Sequence, residues 1–137
     1  MLRPTNRRAI LVIENDKAAR ELLHAQLEDA GYSTVVTPDA VVGGKALLAD
    51  ANDFALVIVD ANLPYMSGVE FVSTLITDST IPTVPIILTS KHQDTLDHAA
   101  LLDVPCLVKP FSVGQLMKLV DASLPNAHAA STGAASR

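Results

Sequence analysis

The stretch ALVIVD, residues 55–60, decides the fold, because five apolar residues run without polar alternation into a single acid, Asp60. The segments Ala9–Ile13 and Val84–Leu88 are also apolar and rich in β-branched side chains. Runs of this kind are typical of strands that are buried on both faces, as in a parallel sheet. Together with the shorter runs Thr34–Val36 and Cys106–Val108, they predict five strands.

Segments with a helical spacing of apolar residues follow each of these runs. Gly31 follows the first segment and is a typical signal for the C-terminal end of a helix, and Asp39 can cap the N-terminal end of the second helix. Gly43 and Gly44 should weaken the second helix by about 1 kcal/mol each relative to alanine. The predicted helices are Lys17–Ala30, residues 40–50, Val69–Asp78, Asp94–Leu102 and Val113–Leu124.

The alternation of strands and helices predicts an α/β fold with right-handed crossovers. Five units of this size fit a doubly wound, five-stranded parallel sheet with the flavodoxin-like strand order 2-1-3-4-5. We expect one domain over residues 1–125. Over residues 126–137, alanine, serine, glycine and histidine dominate without periodicity, which indicates a disordered tail or the start of a linker.

Composition narrows the class of protein. A formal net charge of −5, without a long block of like charge, argues against direct nucleic-acid binding and against a cationic membrane-surface helix. No apolar stretch is long enough to span a bilayer, and Cys106, the only cysteine, cannot form an intramolecular disulfide. We therefore expect a mildly acidic cytoplasmic protein, with Cys106 as a small core residue and the histidines on the surface.

Polar residues follow the predicted strands at the edge of the sheet where open α/β folds bind ligands. Clustered carboxylates at such an edge favour a hard divalent cation such as Mg²⁺. A carboxylate can also attack a phosphoryl group, whose charge then needs a metal, a lysine and hydroxyl donors. The residues that could fill these roles are Glu14, Asn15, Asp16, Asp60, Thr89, Ser90 and Lys109.

Three short motifs, in order along the chain, resemble the receiver domain of response regulators. DANLPYMSG, residues 60–68, has the family's pattern around the phosphorylated aspartate. PIILTS, residues 85–90, is similar to the fourth strand ending in the family's switch Thr/Ser, and VKPF, residues 108–111, matches its Lys-Pro-Phe. The resemblance covers residues 8–124, nearly the whole of the predicted domain.

The resemblance implies a role for each residue of the phosphoryl site. Asp60 would accept the phosphoryl group, Lys109 would bind the phosphoryl oxygens, and Thr89 would reorient toward the phosphate. The family usually has a cis peptide at the position of Lys109–Pro110. The side chains of Asn62 and Lys91 occupy positions that modulate dephosphorylation in this family.

The resemblance also implies a cofactor and two partners. Mg²⁺ would be held by Glu14, Asn15, Asp60 and the backbone carbonyl of Asn62. A histidine kinase or a histidine phosphotransfer protein would donate the phosphoryl group. A downstream protein would bind the face formed by the fourth helix, fifth strand and fifth helix, over residues 94–124. The domain would catalyse its own phosphorylation and slow dephosphorylation without being an enzyme in the usual sense.

Two residues depart from the family's pattern. Asn15 stands where the family usually has a second acid that ligates the metal, so we expect Mg²⁺ to bind more weakly. Cys106 stands where the family often has Tyr or Phe, and a cysteine is too small to report the movement of Thr89 in the same way. Output coupling is therefore expected to run through the fourth and fifth helices by another route.

Other functions stay open at this point. Asn15 favours a pseudo-receiver that binds a partner without being phosphorylated. A flavodoxin-like enzyme or nucleotide-binding domain is disfavoured, because the acidic turn after the first strand contains no glycine-rich phosphate loop. The polar residues could also have purely structural roles: Asp60 in an ion pair, Lys109 on the surface, and Thr89, Glu14 and Asp16 as caps.

Overall fold

The apolar runs form one parallel sheet in a computed structural model, which describes residues 8–124. The sheet order is β2-β1-β3-β4-β5, which confirms the predicted fold and strand order. The tail expected over residues 126–137 lies outside the described residues. The strands are β1 (Ala9–Ile13), β2 (Thr34–Thr37), β3 (Phe54–Asp60), β4 (Ile86–Ser90) and β5 (Cys106–Val108).

The helices lie on both faces of this sheet, and side-chain caps fix where most of them begin. The carboxylate of Asp16 accepts a hydrogen bond from the Ala19 N–H (2.8 Å), and that of Asp39 accepts one from the Val42 N–H (2.9 Å). α3 and α5 begin with capping boxes, in which Ser67 and Ser112 pair with the third residue of each helix. The helices are α1 (Lys17–Asp29), α2 (Ala40–Ala49), α3 (Gly68–Thr77), α4 (Thr95–Leu102) and α5 (Val113–Ser123), with a short 3₁₀ turn at Ala51–Asp53.

Both faces of the central strands are buried. Leu11 and Ile13 of β1 point into the cluster beneath α2, α3 and α4, whereas Ile10 and Val12 point into the cluster beneath α1 and α5. All four side chains are at most 1% exposed. Burial on two faces requires apolar residues at every position of the strand, which explains why the sequence shows no polar alternation.

β4 differs from its predicted bounds at both ends. Thr89 and Ser90 belong to the strand because parallel pairing continues through them, with Thr89 opposite Asp60 and Ser90 opposite Val108. The strand begins at Ile86, because Pro85 has no N–H to donate to the ladder. The extension places Thr89 directly beside the end of β3. Among residues 8–124, no helix is long and apolar enough to cross a membrane.

The two adjacent glycines of α2 have different surroundings. A Cβ built on Gly43 would overlap the buried Ile13, coming within 2.8 Å of its Cγ1. A Cβ on Gly44 would meet only Phe71 Cε1 at 3.6 Å, an ordinary contact. Gly43 therefore allows α2 to approach β1, and only Gly44 can be replaced without a packing cost.

We predict that Gly44→Ala stabilises the protein by about 1 kcal/mol, the difference in helix propensity. Gly43→Ala should be less stable than Gly44→Ala by about 1–3 kcal/mol, because the overlap with Ile13 offsets or exceeds the same propensity gain. Urea unfolding of both variants beside the wild type measures the two effects. A stabilised Gly43→Ala variant would contradict this account of the α2–β1 packing.

Candidate functional site

Four side chains from four different strand ends meet at one edge of the sheet. Glu14 follows β1, Asp60 ends β3, Thr89 lies near the end of β4, and Lys109 follows β5. The strand order makes β1 and β3 neighbours, so the two acids lie side by side while Lys109 reaches across the end of β4. Glu14, Asp60 and Thr89 are 2%, 5% and 1% exposed, whereas the side chain of Lys109 is 19% exposed, so water reaches the cluster mainly at the lysine.

Asp60 is held by contacts to both of its carboxylate oxygens. Oδ1 lies 3.1 Å from the ammonium of Lys109 and accepts a hydrogen bond from the Thr89 hydroxyl (3.3 Å). Oδ2 accepts a hydrogen bond from the backbone N–H of Asn62 (3.2 Å). This fixes the side chain at the rim of the sheet, with a cation and a hydroxyl at the same oxygen.

Lys109 bridges the two acids. Its Nζ lies 2.8 Å from Glu14 Oε1, besides the contact with Asp60. Burial lowers the pKa of the Lys109 ammonium, but the hydrogen bond to Glu14 and the charge of Asp60 outweigh burial and raise it above 10.5. The lysine is therefore charged at neutral pH. The Lys109–Pro110 peptide is cis, as the resemblance implied.

Glu14 and Asn15 are consecutive in the chain but point in different directions. Glu14 turns inward, and its Oε2 accepts a hydrogen bond from the backbone N–H of Asp16 (3.1 Å). Asn15 is exposed, and its amide Nδ2 donates to the carbonyl of Pro38 (3.2 Å), in the loop between β2 and α2. The side chain of Asn15 thus links two loops and is not part of the Glu14–Asp60–Lys109 cluster.

The oxygen atoms at this edge are of the kind that Mg²⁺ prefers. Glu14 and Asp60 supply two carboxylates, and the backbone of Asn62 lies against Asp60. Within residues 8–124, no group of three or more His, Cys, Asp or Glu side chains is arranged to hold a metal. Glu14 and Asp60 fit the ion, whereas Asn15 would first have to release Pro38.

Gly68 lies against the backbone of Asp60. Its N–H donates to the carbonyl of Ala61 (2.9 Å), which closes the loop that begins after Asp60. A Cβ at this position would overlap the Asp60 carbonyl oxygen and lie 2.7 Å from Ala61 Cα.

Tyr65 lies in the same loop, has φ +72° and is 84% exposed. It is the central residue of a tight turn, in which the Met66 N–H donates to the Pro64 carbonyl.

Other residues singled out in the sequence lie near the cluster without joining it. The hydroxyl of Ser90 is hydrogen-bonded to that of Thr95 (2.7 Å), so Ser90 faces α4 and not Asp60. Asn62 and Lys91 are exposed at the rim. Cys106 is half-buried against the core, and burial raises the pKa of its thiol.

The histidines have mixed environments. His92 and His98 are exposed, as expected. His24 is half-buried and hydrogen-bonded to Thr34. His128 lies outside the described residues.

One residue of the site was missed from the sequence. The side chain of Arg20, in the first turn of α1, donates from Nη1 to the backbone carbonyls of Glu14 (2.8 Å) and Asn15 (3.1 Å). A long cationic side chain one turn into the helix that follows an acidic turn was the available signal. Its two acceptors are main-chain atoms, which leave no trace in side-chain composition.

The comparisons with known proteins agree with one another. The family described as "Response regulator receiver domain" matches residues 10–121. The transcriptional regulatory protein HprR of Escherichia coli is 35% identical over 125 residues, covering 88% of this chain and 53% of that protein. The two-component response regulator-like protein APRR3 of Arabidopsis thaliana is 26% identical over 119 residues, covering 85% of this chain and 24% of that protein.

A solved structure gives the same result. The chemotaxis protein CheY4 of Vibrio cholerae superposes with a TM-score of 0.72 at 26% sequence identity, covering 85% of this chain and 98% of that one. The chain therefore spans about half or less of the two curated relatives but nearly the whole of this solved structure.

We predict that Gly68→Ala destabilises the protein by about 2–3 kcal/mol, because the new methyl group must push the loop away from the Asp60 backbone. Gly114→Ala is the matched control, since its Cβ would meet only Ser112 Oγ at 3.7 Å. Urea unfolding measures both variants. Equal stability of Gly68→Ala and the wild type would show that the loop tolerates a side chain here.

Proposed function

This chain belongs to the response regulator receiver domain family, the signalling domains of two-component systems, and we propose that it works by accepting a phosphoryl group on Asp60. The observation that carries the proposal is the contact set of Asp60. One carboxylate oxygen has a charged lysine at 3.1 Å and a threonine hydroxyl at 3.3 Å, at the edge of the sheet. Positive charge and a hydroxyl donor at this point suit a phosphoryl group that is being transferred.

The proposed reaction uses the groups already in contact. An Asp60 oxygen attacks the phosphorus, an O–P bond forms, and the bond from phosphorus to the donor's nitrogen breaks. The donor imidazole keeps the electron pair of the broken bond. Lys109 then binds a phosphoryl oxygen, and Thr89 turns its hydroxyl toward the new anion. When bound to Glu14, Asp60 and the carbonyl of Asn62, Mg²⁺ would neutralise further negative charge on the phosphoryl oxygens.

The proposed partners follow from this chemistry. The donor is a histidine kinase or a histidine phosphotransfer protein, and the domain is its substrate, not a turnover enzyme. The output is a protein that binds the face formed by α4, β5 and α5. Cys106 lies in β5, so the change at Thr89 reaches this face through α4 and α5 without an aromatic ring at that position.

The proposal has two further parts. Asn62 and Lys91, which are exposed at the rim, affect the rate of dephosphorylation. The location of the protein is cytoplasmic.

A second function is favoured by the direction of Asn15. Asn15 replaces the usual second acid, and its amide donates to the Pro38 carbonyl and does not join the cluster. A pseudo-receiver would keep the fold and bind its partner without phosphorylation. The two functions differ in one measurable property, which is the formation of an acyl phosphate at Asp60.

We predict that incubation with acetyl phosphate and Mg²⁺ adds one phosphoryl group, detected as the corresponding increase in intact mass. Asp60→Asn should abolish the adduct because the nucleophile is gone. Asp53→Asn is the matched control, since Asp53 is an exposed acid before the opposite end of β3. The pseudo-receiver is favoured instead if the wild type stays unmodified under conditions in which it is folded.

We also predict that Asn15→Asp tightens Mg²⁺ binding about tenfold. The added charge is worth at most about 4 kcal/mol at 4 Å and an effective dielectric near 20, and a tenfold gain in affinity corresponds to a fraction of that energy. Loss of the amide donor to Pro38 should lower the free energy of unfolding by about 1 kcal/mol or less. Isothermal titration calorimetry with MgCl₂ measures the affinity. Asn52→Asp, the same change at an exposed distant position, is the control, and equal gains in both variants would contradict a direct role for position 15.

A further inference from the structure

The charge of Arg20 is directed at the main chain. The ion pairs found over residues 8–124 are the two made by Lys109, so no carboxylate there pairs with Arg20. Instead its Nη1 donates to two consecutive carbonyls, those of Glu14 and Asn15. The side chain is half-buried, which adds to the cost of leaving its hydrogen bonds unmade.

These two carbonyls belong to the short turn that sets the position of the Glu14 carboxylate. The turn is constrained at its other groups as well: the Asp16 N–H donates to Glu14 Oε2, and the Ala19 N–H donates to the Asp16 carboxylate. The two hydrogen bonds from Arg20 restrain the rotation of the peptide units that carry the Glu14 and Asn15 carbonyls. The Asn15 carbonyl and the Asp16 N–H belong to the same peptide unit, so a rotation of that unit would turn the N–H away from Glu14 Oε2 and remove a contact that orients the carboxylate.

We propose that Arg20 is a positioning residue of the phosphoryl site. By binding the Glu14 and Asn15 carbonyls, it keeps the Glu14 carboxylate beside Asp60 and available to a divalent cation. Arg20 touches neither the acceptor oxygen nor Lys109 Nζ, so it acts through Glu14. The proposal rests on the proposed function of Asp60 and deepens it, because it names what holds the cation ligands in place.

The expected effect is on cation affinity more than on the reaction itself. We expect Arg20→Ala to raise the Mg²⁺ dissociation constant about tenfold, because small misplacements of a positioned group have large effects. In acetyl phosphate reactions, the Mg²⁺ concentration for half-maximal rate should rise equally, while the maximal rate at saturating Mg²⁺ changes little. Calorimetric titration with MgCl₂ gives the affinity without any phosphoryl transfer.

Two further variants separate hydrogen bonding from charge. Arg20→Lys keeps the cation but lacks the planar pair of donors, and Arg20→Gln keeps an N–H donor without the charge. If the hydrogen bonds position the turn, each variant should recover part of the lost affinity. If charge alone matters, Arg20→Lys should match the wild type and Arg20→Gln should match Arg20→Ala, which would overturn the proposal.

Lys17→Gln is the matched control, since Lys17 is an exposed cation on the same turn of α1. An equal loss of affinity in Lys17→Gln, or an unchanged affinity in Arg20→Ala, would also overturn the proposal. Urea unfolding checks that each variant is folded, and Arg20→Lys and Arg20→Gln decide the outcome if Arg20→Ala does not fold. If the wild type forms no phosphoryl adduct, both the proposed function and this inference are wrong. If the wild type forms the adduct and the Arg20 variants bind Mg²⁺ with unchanged affinity, only the inference is wrong.

Discussion

The site depends on one ammonium group that compensates two buried carboxylates. Glu14 and Asp60 lie on neighbouring strands and are 2% and 5% exposed, so their charges are largely withdrawn from water. Removing one partner of such a buried group is costly, because the remaining charges stay uncompensated. Lys109 reaches them from β5, beyond the end of β4. The parallel order of the sheet and the chemistry of its edge are therefore linked, since another order would separate these three groups.

Most of the fold could be predicted from the sequence, and the reason is visible in β1 and β3. Their side chains are buried on both faces, so the apolar runs are continuous and easy to recognise. The ends of β4 were less accurate, because Thr89 and Ser90 are polar and only their pairing with β3 and β5 makes them part of the strand. Local composition does not contain that information.

The residues that meet at the site could be chosen from strand ends, but their orientations could not. Asn15 donates to Pro38 and Arg20 to two backbone carbonyls, and neither partner can be identified from residue type. From the sequence, Gly43 is expected only to weaken α2, yet its lack of a side chain leaves the space that Ile13 occupies. In each case the contacting atom lies on another element or on the main chain, and a sequence pattern does not contain that information.

The approach of Gly68 to the Asp60 carbonyl has a consequence for engineering. The loop that follows Asp60 closes through the Gly68 N–H on the Ala61 carbonyl, and a Cβ at Gly68 would overlap the Asp60 carbonyl oxygen. A designer who wishes to graft this aspartate onto another βα scaffold cannot transplant one side chain alone. Residues 60–68 would have to be moved as a single cassette, together with a helix that starts at the correct distance from the strand.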